Sequence, residues 1–179
     1  MTNYAAVITG KGTGAIASIR ITGNKVPEVL NEIFQPCKGH TKTVKPGKYA
    51  LGRITDQNRT LDEVIVAHEE GSSWVIHCHG NPIITENIME LLEKHGTVLL
   101  DREDLIEKEE DNRILAEIKQ VIPKAQTLAG TKTLINQAKS GLMKKVSQWQ
   151  NEDIPAEQIA AQARRILEES KPGNLLIYG

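Results

Sequence analysis

Short apolar runs broken by Gly and Pro fill the first hundred residues, and beyond residue 104 apolar positions recur at helical spacing almost to the end. Residues 4–9 predict a strand, and Gly10-Lys11-Gly12-Thr13-Gly14 a loop, because closely spaced glycines weaken any regular element. Residues 15–22 predict a second strand. Ile19 and Ile21 share one face of it; Ser18 and Arg20 share the other. Pro27 suits a first helical turn, and Val29, Leu30, Ile33 and Phe34 supply an apolar stripe that ends before Pro36. A basic loop spans residues 38–48, and strands are expected at 49–54, 63–68 and 73–79. Asn81 is placed to cap a helix begun by Pro82, with Ile84, Ile88, Leu91 and Leu92 on one face and Gly96 as its terminator. A last short strand is expected at 97–100. The pattern is α+β, a mixed ββαβββαβ domain.

Three helices are expected after it. Ile114, Leu115, Ile118, Val121 and Ile122 mark the first. Leu128, Leu134, Ile135, Ala138, Leu142, Val146 and Trp149 mark one long second helix. The third begins near Pro155 and carries Ile159, Ala163, Ile166 and Leu167. Their stripes suit a small bundle or an inter-subunit face equally well. Residues 174–178 again read as a strand, after the turn signal Pro172-Gly173. The expected domains are therefore 1–103, 104–171 and 172–179.

Composition narrows the function classes. The 179 residues are 39% hydrophobic and 25% charged, with only 3% aromatic, so the core must rest on Ile, Leu, Val and Ala. A formal net charge of −1 gives no global basic field, and any nucleic-acid surface must be local. No apolar run is long enough to span a membrane, and no secretory signal pattern opens the chain. Cys37 and Cys78 form neither a disulfide framework nor a CxxC site, so a cytoplasmic setting is expected.

Four features are candidates for chemistry. The glycine loop could cradle a phosphate through backbone N–H groups, but nucleotide fingerprints place a helix straight after the glycines, and a strand is expected here instead. The alternative is a plain β–β connection. His77 and His79 share a strand face, with Cys78 on the other. They could hold a metal, although a zinc site needs further protein ligands, or they could shape a pocket wall. Arg20 either sits on a solvated sheet face or binds a carboxylate or phosphate through its guanidinium fork. The charged stretch 102–111 reads as a solvated connector and helix start, with acidic residues at the N-terminal end of a helix.

Taken in order, these segments resemble a known family. Ala6-Val7-Ile8-Thr9, the glycine loop and Ile19-Arg20-Ile21-Thr22-Gly23 are similar to the start of the tRNA-modification GTPases (MnmE/TrmE). Asp62-Glu63-Val64-Ile65-Val66 resembles the family's D-E-V-x-V strand, and Ile76-His77-Cys78-His79-Gly80 its I-H-C-H-G signature. Leu134-Ile135-Asn136-Gln137-Ala138 lies where the family's helical domain begins. Leu175-Leu176-Ile177-Tyr178-Gly179 resembles the strand and first glycine of a phosphate-binding loop.

The resemblance implies an N-terminal domain like the folate-binding domain of aminomethyltransferases, which holds 5-formyl-tetrahydrofolate and forms a homodimer. It implies that Arg20 faces that folate. GTP, magnesium and potassium would belong to a G domain beyond Gly179, so the chain by itself would not hydrolyse GTP. The parent would act with a flavoprotein (MnmG-like) on the wobble uridine of tRNA. Departures from the family pattern touch the folate site. Val75 replaces a glutamate, the stretch from Arg102 to Glu107 replaces a signature containing a folate-contacting lysine, and the loop 69–72 is short. An apolar side chain accepts no hydrogen bond from a pterin edge. The expectation is a scaffold and dimerisation region, with a folate-binding one-carbon domain as the alternative and a metal enzyme at His77 and His79 as a third reading.

Overall fold

In the computed structural model, residues 2–10, 12–37, 44–57 and 59–169 are described. They divide into two units, Met1–Asp111 and the part from Asn112 onward. The strand-like segment expected at 174–178, and with it the domain expected at 172–179, lies outside the described residues, as does part of the basic loop.

In the first unit, seven strands form one mixed sheet in the order β3-β4-β5-β6-β2-β1-β7. They are β1 (Asn3–Val7), β2 (Ile16–Thr22), β3 (Phe34–Pro36), β4 (Lys48–Asp56), β5 (Arg59–His68), β6 (Ser73–His79) and β7 (Thr97–Leu99). All pairs are antiparallel except β1 with β7. Helices α1 (Val26–Ile33) and α2 (Pro82–Lys94) are the long connections.

Alternation along the strands builds two different faces. Ile19 and Ile21 from β2, Trp74, Ile76 and Cys78 from β6, and Val64 and Val66 from β5 join one core with Val26, Val29, Leu30 and Ile33 of α1 and Ile88, Leu91 and Leu92 of α2. Each such aliphatic burial stabilises the fold by about 1.5–3 kcal/mol before ordering costs. Asn81 caps α2 as expected, its side chain accepting from the Ile83 N–H.

The opposite face carries Ala6, Arg20, Val75 and His77, and a third helix, α3 (Arg102–Glu109), packs against β1 near this region. Leu105 and Ile106 of α3 are buried, and Lys108 lies over the Tyr4 ring of β1. The sequence predicts a solvated connector over 102–111. Two adjacent apolar side chains turn this otherwise charged helix onto the sheet, and the expected boundary at 103/104 falls inside it.

Phe34 also departs from expectation. It is not part of the α1 stripe but opens β3, paired with Ile54 of β4. Pro36 biases the residue before it away from helical angles, and the chain turns extended at Phe34 while its ring stays buried. The observed order is thus ββαββββαβ, with one strand more than expected.

The second unit contains α4 (Arg113–Val121), a 3-10 turn (Ile122–Lys124), α5 (Leu128–Lys139), α6 (Leu142–Asn151) and α7 (Ala156–Glu169). The single long helix expected from Leu128 to Trp149 is broken at Ser140-Gly141. Gln137 folds its side chain over the break and accepts from the Leu142 N–H at 2.8 Å. It occupies the space where a Cβ on residue 141 would stand, so a larger residue there would displace the Gln137 side chain and its hydrogen bond. The apolar spacing survives because α6 resumes almost in phase. Trp149 donates to Gln162 at 3.0 Å, linking α6 to α7.

Candidate functional site

The chemistry-bearing residues gather where β2 lies beside β6. The register sets Ser18 opposite His77 and Arg20 opposite Val75, with Ala6 on the far side of Arg20. Arg20 is therefore flanked by two small or apolar buried neighbours. Its guanidinium is held by two carboxylates: Nη2 donates to Glu69 Oε2 at 2.9 Å and Nη1 to Glu109 Oε2 at 3.3 Å. Glu69 lies just after β5, and Glu109 ends α3. Ser73 Oγ stands 3.5 Å from Glu69 Oε2 and 3.4 Å from Glu109 Oε1, joining the cluster. Arg20 Nε is buried without a hydrogen-bond partner among the described residues.

Each histidine among the described residues is occupied. His77 Nδ1 lies 2.9 Å from Ser18 Oγ. Asp62, at the sheet interior, accepts from the His79 backbone N–H at 2.8 Å and lies 2.7 Å from its Nδ1. His68 stacks on Trp74, and His95 pairs with Glu32 of α1. Among the described residues no group of three or more His, Cys, Asp or Glu is placed to hold a metal ion.

Gly14 and Gly80 approach each other backbone to backbone: the Gly14 N–H donates to the Gly80 carbonyl at 2.9 Å, and the Gly80 N–H donates to Ala15 at 3.1 Å. The glycine loop leads from β1 into a strand, not a helix. Beside it lies an open cleft of about 840 Å³, whose walls include Gly10, Gly12, Thr85 and Arg102. Arg20 is not among its lining residues.

Cys78 is buried with Sγ toward the Ala17 carbonyl. Burial pushes its thiol above the ordinary value of 9.0, a hydrogen bond from Thr85 works against this, and the Asp62 charge adds to it. Cys37 is exposed. Iodoacetamide at pH 8 is expected to alkylate Cys37 and spare Cys78 until the protein is unfolded, which peptide mass mapping will show. The protonated thiol's contribution to stability is complete below pH 9.0 and is lost as pH rises from there through the folded-state value, because the unfolded chain releases the proton first.

Sequence reasoning singles out Arg20, His77 and His79. It does not identify Asp62, Glu69 or Glu109 as their partners. The signal for Asp62 is an acid in phase with Val64 and Val66, the buried positions of β5. Glu69 and Glu109 belong to acid-rich segments whose members look alike in one dimension.

The fold is thus an α+β unit with a seven-stranded mixed sheet, joined to a helical segment. Residues 3–102 match the family described as GTP-binding protein TrmE N-terminus, and the chain belongs to that family. It is 30% identical over 162 residues to a tRNA modification GTPase MnmE of Alkaliphilus metalliredigens, an alignment covering 83% of this chain and 35% of that protein. It is 36% identical over 99 residues to the protein of that name in Flavobacterium psychrophilum, covering 51% of this chain and 21% of the relative. The match to the one in Bacteroides thetaiotaomicron is 35% over 100 residues, with the same shares. The chain therefore aligns with about a third or less of each relative's length. No helix among the described residues is long and apolar enough to cross a membrane.

Proposed function

We propose that this chain is the scaffold and dimerisation region of a GTPase that modifies the wobble uridine of tRNA, and that it does not hydrolyse GTP by itself. The parent would work in the cytoplasm with tRNA and a flavoprotein partner. Family membership supports the parent's class. No G-x-x-x-x-G-K-[ST] sequence occurs in the 179 residues, so this chain brings no phosphate-binding lysine in that motif to a nucleotide. The α+β unit is read as a relative of the folate-binding domain of aminomethyltransferases.

The observation that carries the dimerisation reading is an exposed apolar row on the sheet face away from α1 and α2. Leu51 of β4 is 54% exposed and stands directly opposite Ile65 of β5, itself 39% exposed. Tyr49, two residues from Leu51 on the same face, is 73% exposed, and Ile16 on β2, opposite His79, is a separate exposed apolar residue at 63%. Isolated apolar side chains on a surface are ordinary, but a row across paired strands suits a second copy of the same face. Light scattering of the native chain at micromolar concentration is expected to give the dimer mass and to show a monomer for Leu51→Asp with Ile65→Asp. The same native preparation should release no phosphate from GTP. A native monomer removes the dimerisation reading, and steady GTP turnover removes the other half.

The alternative, a domain that binds 5-formyl-tetrahydrofolate, requires Arg20 to be free for an anion. Its pairing with Glu69 and Glu109 counts against that reading.

A further inference from the structure

We propose that the sheet face around Arg20 is closed in cis. Glu69 and Glu109 occupy the guanidinium positions that an external carboxylate or phosphate would use, and Arg20 serves as the anchor that holds α3 on the sheet. This departs from the folate-facing role that family resemblance implies for Arg20, and it is independent of the oligomeric reading.

The guanidinium fork offers two outward Nη groups for recognition of a carboxylate or phosphate. Here each is taken by a different carboxylate, one from the β5–β6 turn and one from the end of α3. The two acids outnumber the one base, so Arg20, Glu69 and Glu109 together carry a formal charge of −1. An incoming anion would meet net repulsion instead of a free cation. The side chains of Arg20 and Glu109 are only 26% and 16% exposed, so solvent screens this pair less than a rim contact. The two residues that flank Arg20 across the sheet give a ring-shaped ligand no polar group to bind. Val75, directly opposite Arg20, is 2% exposed, and Ala6 on the other side is fully buried. The buried Leu105 and Ile106 place α3 as a packed element, not a loose strap.

The pairing also explains why a helix of such composition holds its place. α3 has two buried apolar side chains, and its last turn would otherwise project acid over a sheet. Arg20 converts that acid into a tether. Lys108 over Tyr4 supplies a second contact on β1, on the same side of the sheet.

Two measurements on the full chain test the proposal together. Calorimetric titration with 5-formyl-tetrahydrofolate is expected to show no saturable binding to the native protein. Hydrogen exchange of the α3 amides is expected to quicken about threefold or more in Arg20→Met and to a similar degree in Glu109→Gln, with no further gain in the double variant. Glu109→Gln is a mild change that leaves the core untouched, so the test does not depend on the arginine variant folding. Saturable folate binding that Arg20→Met abolishes overturns the proposal, because the site is then open to ligand. Unchanged α3 exchange in Glu109→Gln overturns it as well, because the tether is then absent.

Discussion

Trp74→Ala is expected to lower the unfolding free energy by about 3–5 kcal/mol, among the largest effects of any single side-chain truncation in this chain. Trp74 is 2% exposed and belongs to the main core of the α+β unit. Aromatics are only 3% of the residues, and Phe34, the other large ring in this cluster, is held on β3 opposite Ile54, so mostly aliphatic neighbours are left to refill the space. The ring also has a second task. It stacks on His68 with centroids 4.0 Å apart, and His68 in turn lies 2.8 Å from the Val44 carbonyl through Nδ1 and 3.1 Å from Gly71 through Nε2. Truncation therefore opens a cavity and also frees the imidazole that ties the approach to β4 to the β5–β6 turn. Urea unfolding followed by far-ultraviolet dichroism gives the magnitude. A loss below about 1 kcal/mol would mean that the ring is not part of the packed interior.

Gly80→Ala is the second. A Cβ there would collide with the Gly14 carbonyl, coming within 2.6 Å of the carbonyl carbon and 3.0 Å of the Gly14 Cα. The obstacle is main chain on both sides, fixed by the hydrogen bonds from Gly14 to Gly80 and from Gly80 to Ala15, so no side chain can swing away. Overpacking of this kind costs about 1–3 kcal/mol and more where the backbone cannot shift. The damage falls where β6 leaves for α2 and where the glycine loop rejoins β2, so the cleft beside them should deform too. Gly10→Ala is the control: nothing lies within 4 Å of its Cβ, and it should stay within about 0.5 kcal/mol of native. Equal melting temperatures for the two variants would remove the close approach as a structural requirement.

Gly80 separates what is legible in one dimension from what is not. Its place in the Ile76-His77-Cys78-His79-Gly80 signature is visible, and so is the alternation that puts His77 and His79 on one face and Cys78 on the other. The reason for glycine is not, because the atom it avoids belongs to Gly14, 66 positions earlier in the chain (80 − 14). The same holds for Arg20. A charged residue in an apolar strand marks a special position, but its two carboxylates come from segments 49 and 89 residues away. Local departures have local causes. Phe34 reads as helix because its spacing continues the stripe, whereas Pro36 already favours an extended chain. The break between α5 and α6 is hidden because an interruption of two residues hardly disturbs a periodic stripe.

The α+β pattern of the first hundred residues, most strand positions, both caps of α2 and the helical character of the segment beyond them are written in local sequence. These depend on side-chain alternation, glycine and proline angles and capping groups, all of which act within a few residues. The strand order, the place of α3, the burial of Cys78 and the partners of Arg20 and His79 emerge only once the chain is folded. Each of these is a contact between distant segments, and an acid that pairs in space is indistinguishable along the chain from one that faces water. Arg20 thus enters as a candidate ligand for an anion and emerges held by two of the protein's own carboxylates.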